Sequence, residues 1–203
     1  MLVAPAFCLW YNFVKMITAI SQILSGLGLA SASGLNAYIP LLTVALAARF
    51  TSLLKLNPPF DVLTNEWVIG ALVVLLGVEI VVDKIPAADT LNDLIQTFVR
   101  PTAGAILFAA STNAIGDLNP ILSAILGLIL AFGVHAAKAT ARPVVTASTG
   151  GLGNAFVSVG EDVVATGLSL TAIVITFVIG FLLALVLAWF LTRFFFGRRA
   201  DAA

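Results

Sequence analysis

Apolar residues run through this chain in long blocks separated by short polar breaks, and the blocks have helix length rather than strand length. Residues 165–192 carry no charge at all. At 1.5 Å per residue that run rises roughly 40 Å, more than the roughly 30 Å hydrocarbon layer of a bilayer. A barrel strand needs only about 10 alternating residues, and Phe181-Leu182-Leu183-Ala184-Leu185-Val186-Leu187-Ala188 does not alternate. In lipid the backbone groups must find partners within the segment, so the run is read as a helix.

The remaining blocks are shorter or interrupted. Residues 17–46 also lack charge, but Ser31-Ala32-Ser33-Gly34-Leu35-Asn36 breaks them and Pro40 follows. The pattern predicts two short helices, 17–32 and 35–48, joined by a tight turn or broken at membrane depth. Residues 66–82 make a third span, with Trp67 as an interfacial anchor. Residues 102–115 are apolar but short, which suits a half-helix or a re-entrant piece. Residues 120–137 make a fifth, opening on Pro120 at the first-turn position that tolerates proline. Within 85–100, Leu91, Leu94, Ile95 and Phe98 repeat at three and four, while Asp89, Asn92, Asp93 and Gln96 fill the other side. This predicts an amphipathic helix lying along the membrane interface or over the bundle, closed by Arg100-Pro101.

Composition narrows the class. Of 203 residues, 61% are hydrophobic and 10% charged, against about 45–50% and about 25% in an ordinary soluble domain. Ten Lys plus Arg balance ten Asp plus Glu, and the mean hydropathy is +1.11. A soluble enzyme, a disordered tail, a disulfide scaffold built on Cys8 alone and a basic nucleic-acid binder are excluded or made remote. The expectation is an all-α polytopic membrane bundle, residues 1–203 as one integral domain, with about six spans or half-spans. Under six crossings Lys15, Arg49, Lys55, Arg193, Arg198 and Arg199 fall on one face, which the positive-inside rule makes cytoplasmic, both termini included. Lys138 and Arg142 depart from that pattern. Lys15, the first charge, follows the apolar opening, the reverse of a signal peptide.

Two stretches echo each other: Ser33-Gly34-Leu35-Asn36-Ala37-Tyr38-Ile39 and Gly151-Leu152-Gly153-Asn154-Ala155-Phe156-Val157. Interrupted helices in paired halves, here 17–100 and 101–196, are how transporters build midplane binding sites. Small residues also recur wherever membrane helices pack closely. Ser148-Thr149-Gly150-Gly151-Leu152-Gly153-Asn154 is a turn that would expose backbone polar groups.

The polar residues inside these blocks are the candidates for transport or a polar core, because charge in hydrocarbon is costly and faces the bundle interior. Glu79 and Asp83 share one helix face, and His135, Lys138 and Arg142 form a basic stripe on another. The two sets are complementary, and a Glu79–Lys138 ion pair is expected; the alternative is helix-end charges reaching to water. His135 could relay protons. Glu161 and Asp162 are read as helix N-terminal carboxylates of the last span, with a cation site beside Asn154 using the same atoms. Asn36 and Asn154 are expected to meet at a common polar cavity. The chain holds no HExxH, GxSxG, paired-Cys or phosphate-loop pattern, so no catalytic residue, metal or cofactor is expected.

Gly26-Leu27-Gly28-Leu29-Ala30-Ser31-Ala32-Ser33-Gly34-Leu35-Asn36-Ala37-Tyr38-Ile39-Pro40 resembles the opening signature of the bacterial membrane family known as domain of unknown function 4126. His135-Ala136-Ala137-Lys138-Ala139-Thr140-Ala141-Arg142-Pro143 and Thr149-Gly150-Gly151-Leu152-Gly153-Asn154 are similar to its second half. The resemblance covers residues 17–189. It implies a multi-spanning inner-membrane protein and brings no substrate or catalytic residue. The leading functional expectation is a small carrier or channel-like protein for an ion or small polar solute, with the lipid bilayer and a second copy of the chain as partners. The alternative is a non-catalytic membrane scaffold or accessory subunit.

Overall fold

The computed structural model describes residues 3–51, 54–82, 86–113 and 118–200. The chain forms six α-helices: α1 Val3–Leu35, α2 Tyr38–Phe50, α3 Glu66–Val82, α4 Pro86–Thr112, α5 Pro120–Thr149 and α6 Leu152–Ala200, with a 3₁₀ turn at Phe60–Thr64 before α3. By length and composition three helices can cross a membrane, over Trp10–Leu35, Pro120–Thr149 and Leu152–Trp189, and Tyr38–Phe50 is a shorter apolar helix. The all-α bundle is as expected, while six full spans are more than these helices supply.

The bundle is turned inside out relative to a soluble one. On α4, Leu94, Ile95 and Phe98 are exposed, whereas Gln96 and Arg100 are buried. On α5, Ser123, Gly127, Ala131, His135, Lys138 and Arg142 form one buried face, and Ile121, Leu122, Ile125, Leu128 and Ile129 look outward. Lipid is the solvent that favours this arrangement, since polar side chains gain partners inside and apolar ones lose nothing outside. The apolar core is small and lies on the α1–α2–α3–α4 side, around Leu29, Leu41, Val44, Leu63, Leu72 and Leu107.

Close backbone approach replaces bulky packing between α1, α4 and α5. A Cβ added to Gly127 would strike the Gly104 carbonyl oxygen, and one added to Gly34 would lie 2.6 Å from the Ala131 carbonyl oxygen. Small residues allow such crossings. Thr112 then donates to Ser123 across α4 and α5 at 2.9 Å.

Helix ends follow local chemistry. Asn119 accepts from the amides of Ile121 and Leu122 and so caps α5, with Pro120 next. Gly150 and Gly151 have positive φ, 62° and 89°; only glycine takes that conformation cheaply, and it stops α5 and turns the chain into α6. The glycine-rich stretch is therefore a tight turn between two long helices.

Several expected boundaries change. The surface helix over 85–100 and the half-helix over 102–115 are one helix, α4, with Pro101 inside it. Proline removes one backbone bond there but does not stop the helix, because the residues around it are packed against neighbouring helices: Arg100, Pro101, Ala103 and Gly104 are all buried. Its polar side does not lie on the membrane surface; it faces the other helices. A division of the chain after Arg100 falls inside this continuous helix. The last helix starts at Leu152 rather than near residue 165. Asp83 lies outside the described residues, as do the side chains of Cys8, Arg193, Arg198 and Arg199.

Candidate functional site

The buried polar residues join in one chain of contacts. Arg100 on α4 has 0% of its side chain exposed and meets Glu79 of α3, 1% exposed, at 3.0 Å through Nη2. Its Nη1 lies 3.0 Å from His135 Nδ1 on α5. A guanidinium can only donate, so Nδ1 accepts; His135 is then the neutral tautomer, and its Nε2–H donates to Thr97 Oγ1 at 3.0 Å. Thr97 in turn donates to the Asp93 carbonyl oxygen.

Asp93 links two arginines. Oδ1 lies 3.8 Å from Arg100 Nη1, and Oδ2 lies 3.3 Å from Arg142 Nη1. Arg142 continues to Glu161 Oε2 on α6 at 3.3 Å, and the same oxygen takes Lys138 Nζ at 2.7 Å. Lys138 also donates to the Leu35 carbonyl oxygen at 3.1 Å, placing a cation on the C-terminal end of α1, where the helix dipole favours it.

The break between α1 and α2 joins the same assembly. Asn36 Oδ1 accepts from the amides of Tyr38 and Ile39 and so caps α2, while its Nδ2 donates to Asp162 Oδ1 on α6 at 2.9 Å. Asn36 is buried. Every helix thus contributes a charged side chain, a capping contact or a carbonyl to one network. An unpaired buried ion costs several kcal/mol, and this network divides that cost among many partners.

Three expectations are corrected by this geometry. Glu79 pairs with Arg100, and Lys138 pairs with Glu161; the Glu79–Lys138 pair does not form. Glu161 and Asp162 do not cap the last helix, because α6 begins at Leu152; ten residues on, they sit roughly 15 Å along it. They serve instead as partners of Lys138, Arg142 and Asn36. Asn154 exchanges hydrogen bonds with Thr146 across the α5–α6 turn, so it braces that turn while Asn36 serves the core. Nor do His135, Lys138 and Arg142 reach for water, since all three are buried.

Arg100, Asp93 and Gln96 are the residues that sequence reasoning placed wrongly, on the surface. The signal was present in their spacing. Asp93, Gln96 and Arg100 share one helical face, and that face continues past Pro101 into the small residues Ala103 and Gly104. A polar stripe that runs into a small-residue stripe marks an inward face. Among the described residues no group of three His, Cys, Asp or Glu side chains could hold a metal ion.

Long apolar helices wrapped around a buried ionic network define a polytopic helical membrane protein. The family model for the domain of unknown function 4126 matches residues 23–196. The chain belongs to that family. No curated protein and no solved structure matches it.

Proposed function

We propose that the chain is a small carrier or channel-like protein for an ion or small polar solute, acting without covalent chemistry. One observation supports this reading most: Arg100, Glu79, His135, Lys138 and Asn36 are all buried and all hydrogen-bonded inside the bundle. Membrane proteins tolerate such groups in the interior where they bind or conduct something. A scaffold needs only packing, and glycines and alanines supply that at far lower desolvation cost.

In this reading the helices cross or partly cross a bacterial inner membrane, with both termini cytoplasmic. The lipid-facing sides of α3 and α6 leave room for a second copy, and a homodimer supplies the wall that a 203-residue chain lacks.

Flux in proteoliposomes is the test. Lys138→Met, which leaves Glu161 its contact with Arg142, is expected to remove ion or solute movement while vesicles still contain the protein at wild-type amounts. Loss of protein in step with loss of flux, or no flux by the wild type over a panel of ions and small polar solutes, would favour the scaffold instead.

A further inference from the structure

A small cavity of about 70 Å³ lies among α1, α2, α4, α6 and the chain that joins α2 to α3. Gln22 and Ser25 line it from one face of α1, with Ser111 of α4, Thr176 of α6 and the exposed Lys55 of the connection. Gln22 sits near the middle of Trp10–Leu35, a stretch long and apolar enough to cross a membrane. Its side-chain oxygen Oε1 is buried and accepts no hydrogen bond from the protein.

A buried acceptor without a donor costs free energy, and a leucine here would pack as well without that cost. The oxygen therefore marks a place for a donor that the chain does not supply. Ser111 donates to the Leu107 carbonyl and Thr176 to the Ala172 carbonyl, so both hydroxyl oxygens are left to accept as well. The Gln22 side-chain nitrogen and the Ser25 hydroxyl are donors on the same wall.

Charge and size narrow the ligand. Among the described residues that line the cavity Lys55 is the only ionisable one, and it turns away a cation. An anion would leave water to face the bare Gln22 oxygen. A neutral molecule that both donates and accepts fits. A cavity of about 150 Å³ takes benzene, so one of about 70 Å³ has room for roughly three or four non-hydrogen atoms. A primary amide of that size brings two N–H donors and a carbonyl acceptor, and its methyl group suits the walls formed by Leu29, Val44 and Ile173.

We propose that this cavity binds a short neutral amide against Gln22. For the carrier reading this names the substrate class, and it rests on that reading only for the step of movement across the bilayer.

The probe is acetamide, measured by saturation-transfer NMR on the full-length protein in detergent, with empty micelles as the blank. Acetone has the same shape without a donor, acetate adds a negative charge and acetamidinium a positive one. Acetamide should bind saturably, in about the millimolar range open to so small a ligand, and each of the other three at least tenfold more weakly. Gln22→Leu has no protein bond at Oε1 to lose; it should fold, and should weaken acetamide binding at least tenfold while leaving acetone no weaker. Ala110→Leu fills the cavity from α4 and should weaken acetamide binding by a similar factor. Should Gln22→Leu fail to fold, Ala110→Leu and the ranking of the four probes on the wild type decide.

Acetone binding as tightly as acetamide would make the cavity a plain apolar void and overturn the proposal. No saturable acetamide binding up to about 100 mM would make it a water site, with the same consequence. Acetamide affinity within twofold of wild type in both variants would place the ligand elsewhere and overturn it too. The transport reading fails separately. Acetamide binding with no acetamide flux in proteoliposomes defeats the carrier and keeps the site, whereas inorganic-ion flux without acetamide binding defeats the site alone.

Discussion

Arg100 and Glu79 meet at 3.0 Å with essentially no exposed surface on either side chain, and this pair ties α3 to the bundle. Apart from it, Leu72 is the one other residue that α3 buries. The ion pair and the apolar contact of Leu72, with Val68, Ile69 and Leu76 packed beside it, together position this helix.

Breaking that pair should cost more than deleting it. Arg100→Met removes the arginine from buried Glu79, and Glu79→Leu leaves Arg100 only the longer contact with Asp93; each is expected to destabilise by about 3–5 kcal/mol. The double variant should lose clearly less than the sum, because no buried charge is left alone. Unfolding in mixed detergent or SDS, followed by circular dichroism, gives the three values. Additive losses would mean that the two side chains do not interact.

His135 carries its proton on Nε2 if Arg100 occupies Nδ1. Nitrogen NMR of the ¹⁵N-labelled imidazole should report that tautomer. His135→Gln can mimic both roles, accepting with oxygen and donating with nitrogen, whereas His135→Leu can do neither. The leucine variant should unfold more readily, by about 1–3 kcal/mol for the stranded donor, and the glutamine variant should recover most of that loss.

The two asparagines should separate in a stability assay. Asn36→Ala removes the α2 cap and the donor to Asp162, and should cost about 1–3 kcal/mol. Asn154 bonds only at an exposed turn position, so Asn154→Ala should stay within about 0.5 kcal/mol of wild type. Equal effects would contradict the division between core and turn.

Glycines at the α4–α5 crossing should tolerate nothing larger. Gly127→Val should destabilise by about 3 kcal/mol through overpacking, since even a Cβ meets the Gly104 backbone and Phe108 Cβ. Gly133 has nothing within 4 Å of such a Cβ, and Gly133→Ala should be neutral or gain up to about 1 kcal/mol of helix propensity. Detergent-resistant folded fraction after heating distinguishes them.

Much of the helical framework was legible because lipid leaves so few choices. The third helix, Glu66–Val82, has the limits predicted from where its apolar block begins and ends. The interruption at Ser31 to Asn36 correctly marked a break between two helices. Pro101 misled the reading, since a proline that would end a helix in water is tolerated within a packed membrane interior. The candidates Glu79, His135, Lys138, Arg142, Glu161, Asp162 and Asn36 were visible as polar atoms in apolar surroundings. Their pairing was not, because it depends on which helix faces which. Periodicity along one segment carries no information about its neighbours, and so Arg100 rather than Lys138 could not be chosen for Glu79.

At 13 residues, α2 rises only about 20 Å, well short of the hydrocarbon thickness that its neighbours α1 and α6 match or exceed. The acyl chains along the α2 flank must tilt and compress to meet it, giving the protein one thin side and one thick side. Such a wedge would pinch the bilayer locally beside Leu42 and Leu46.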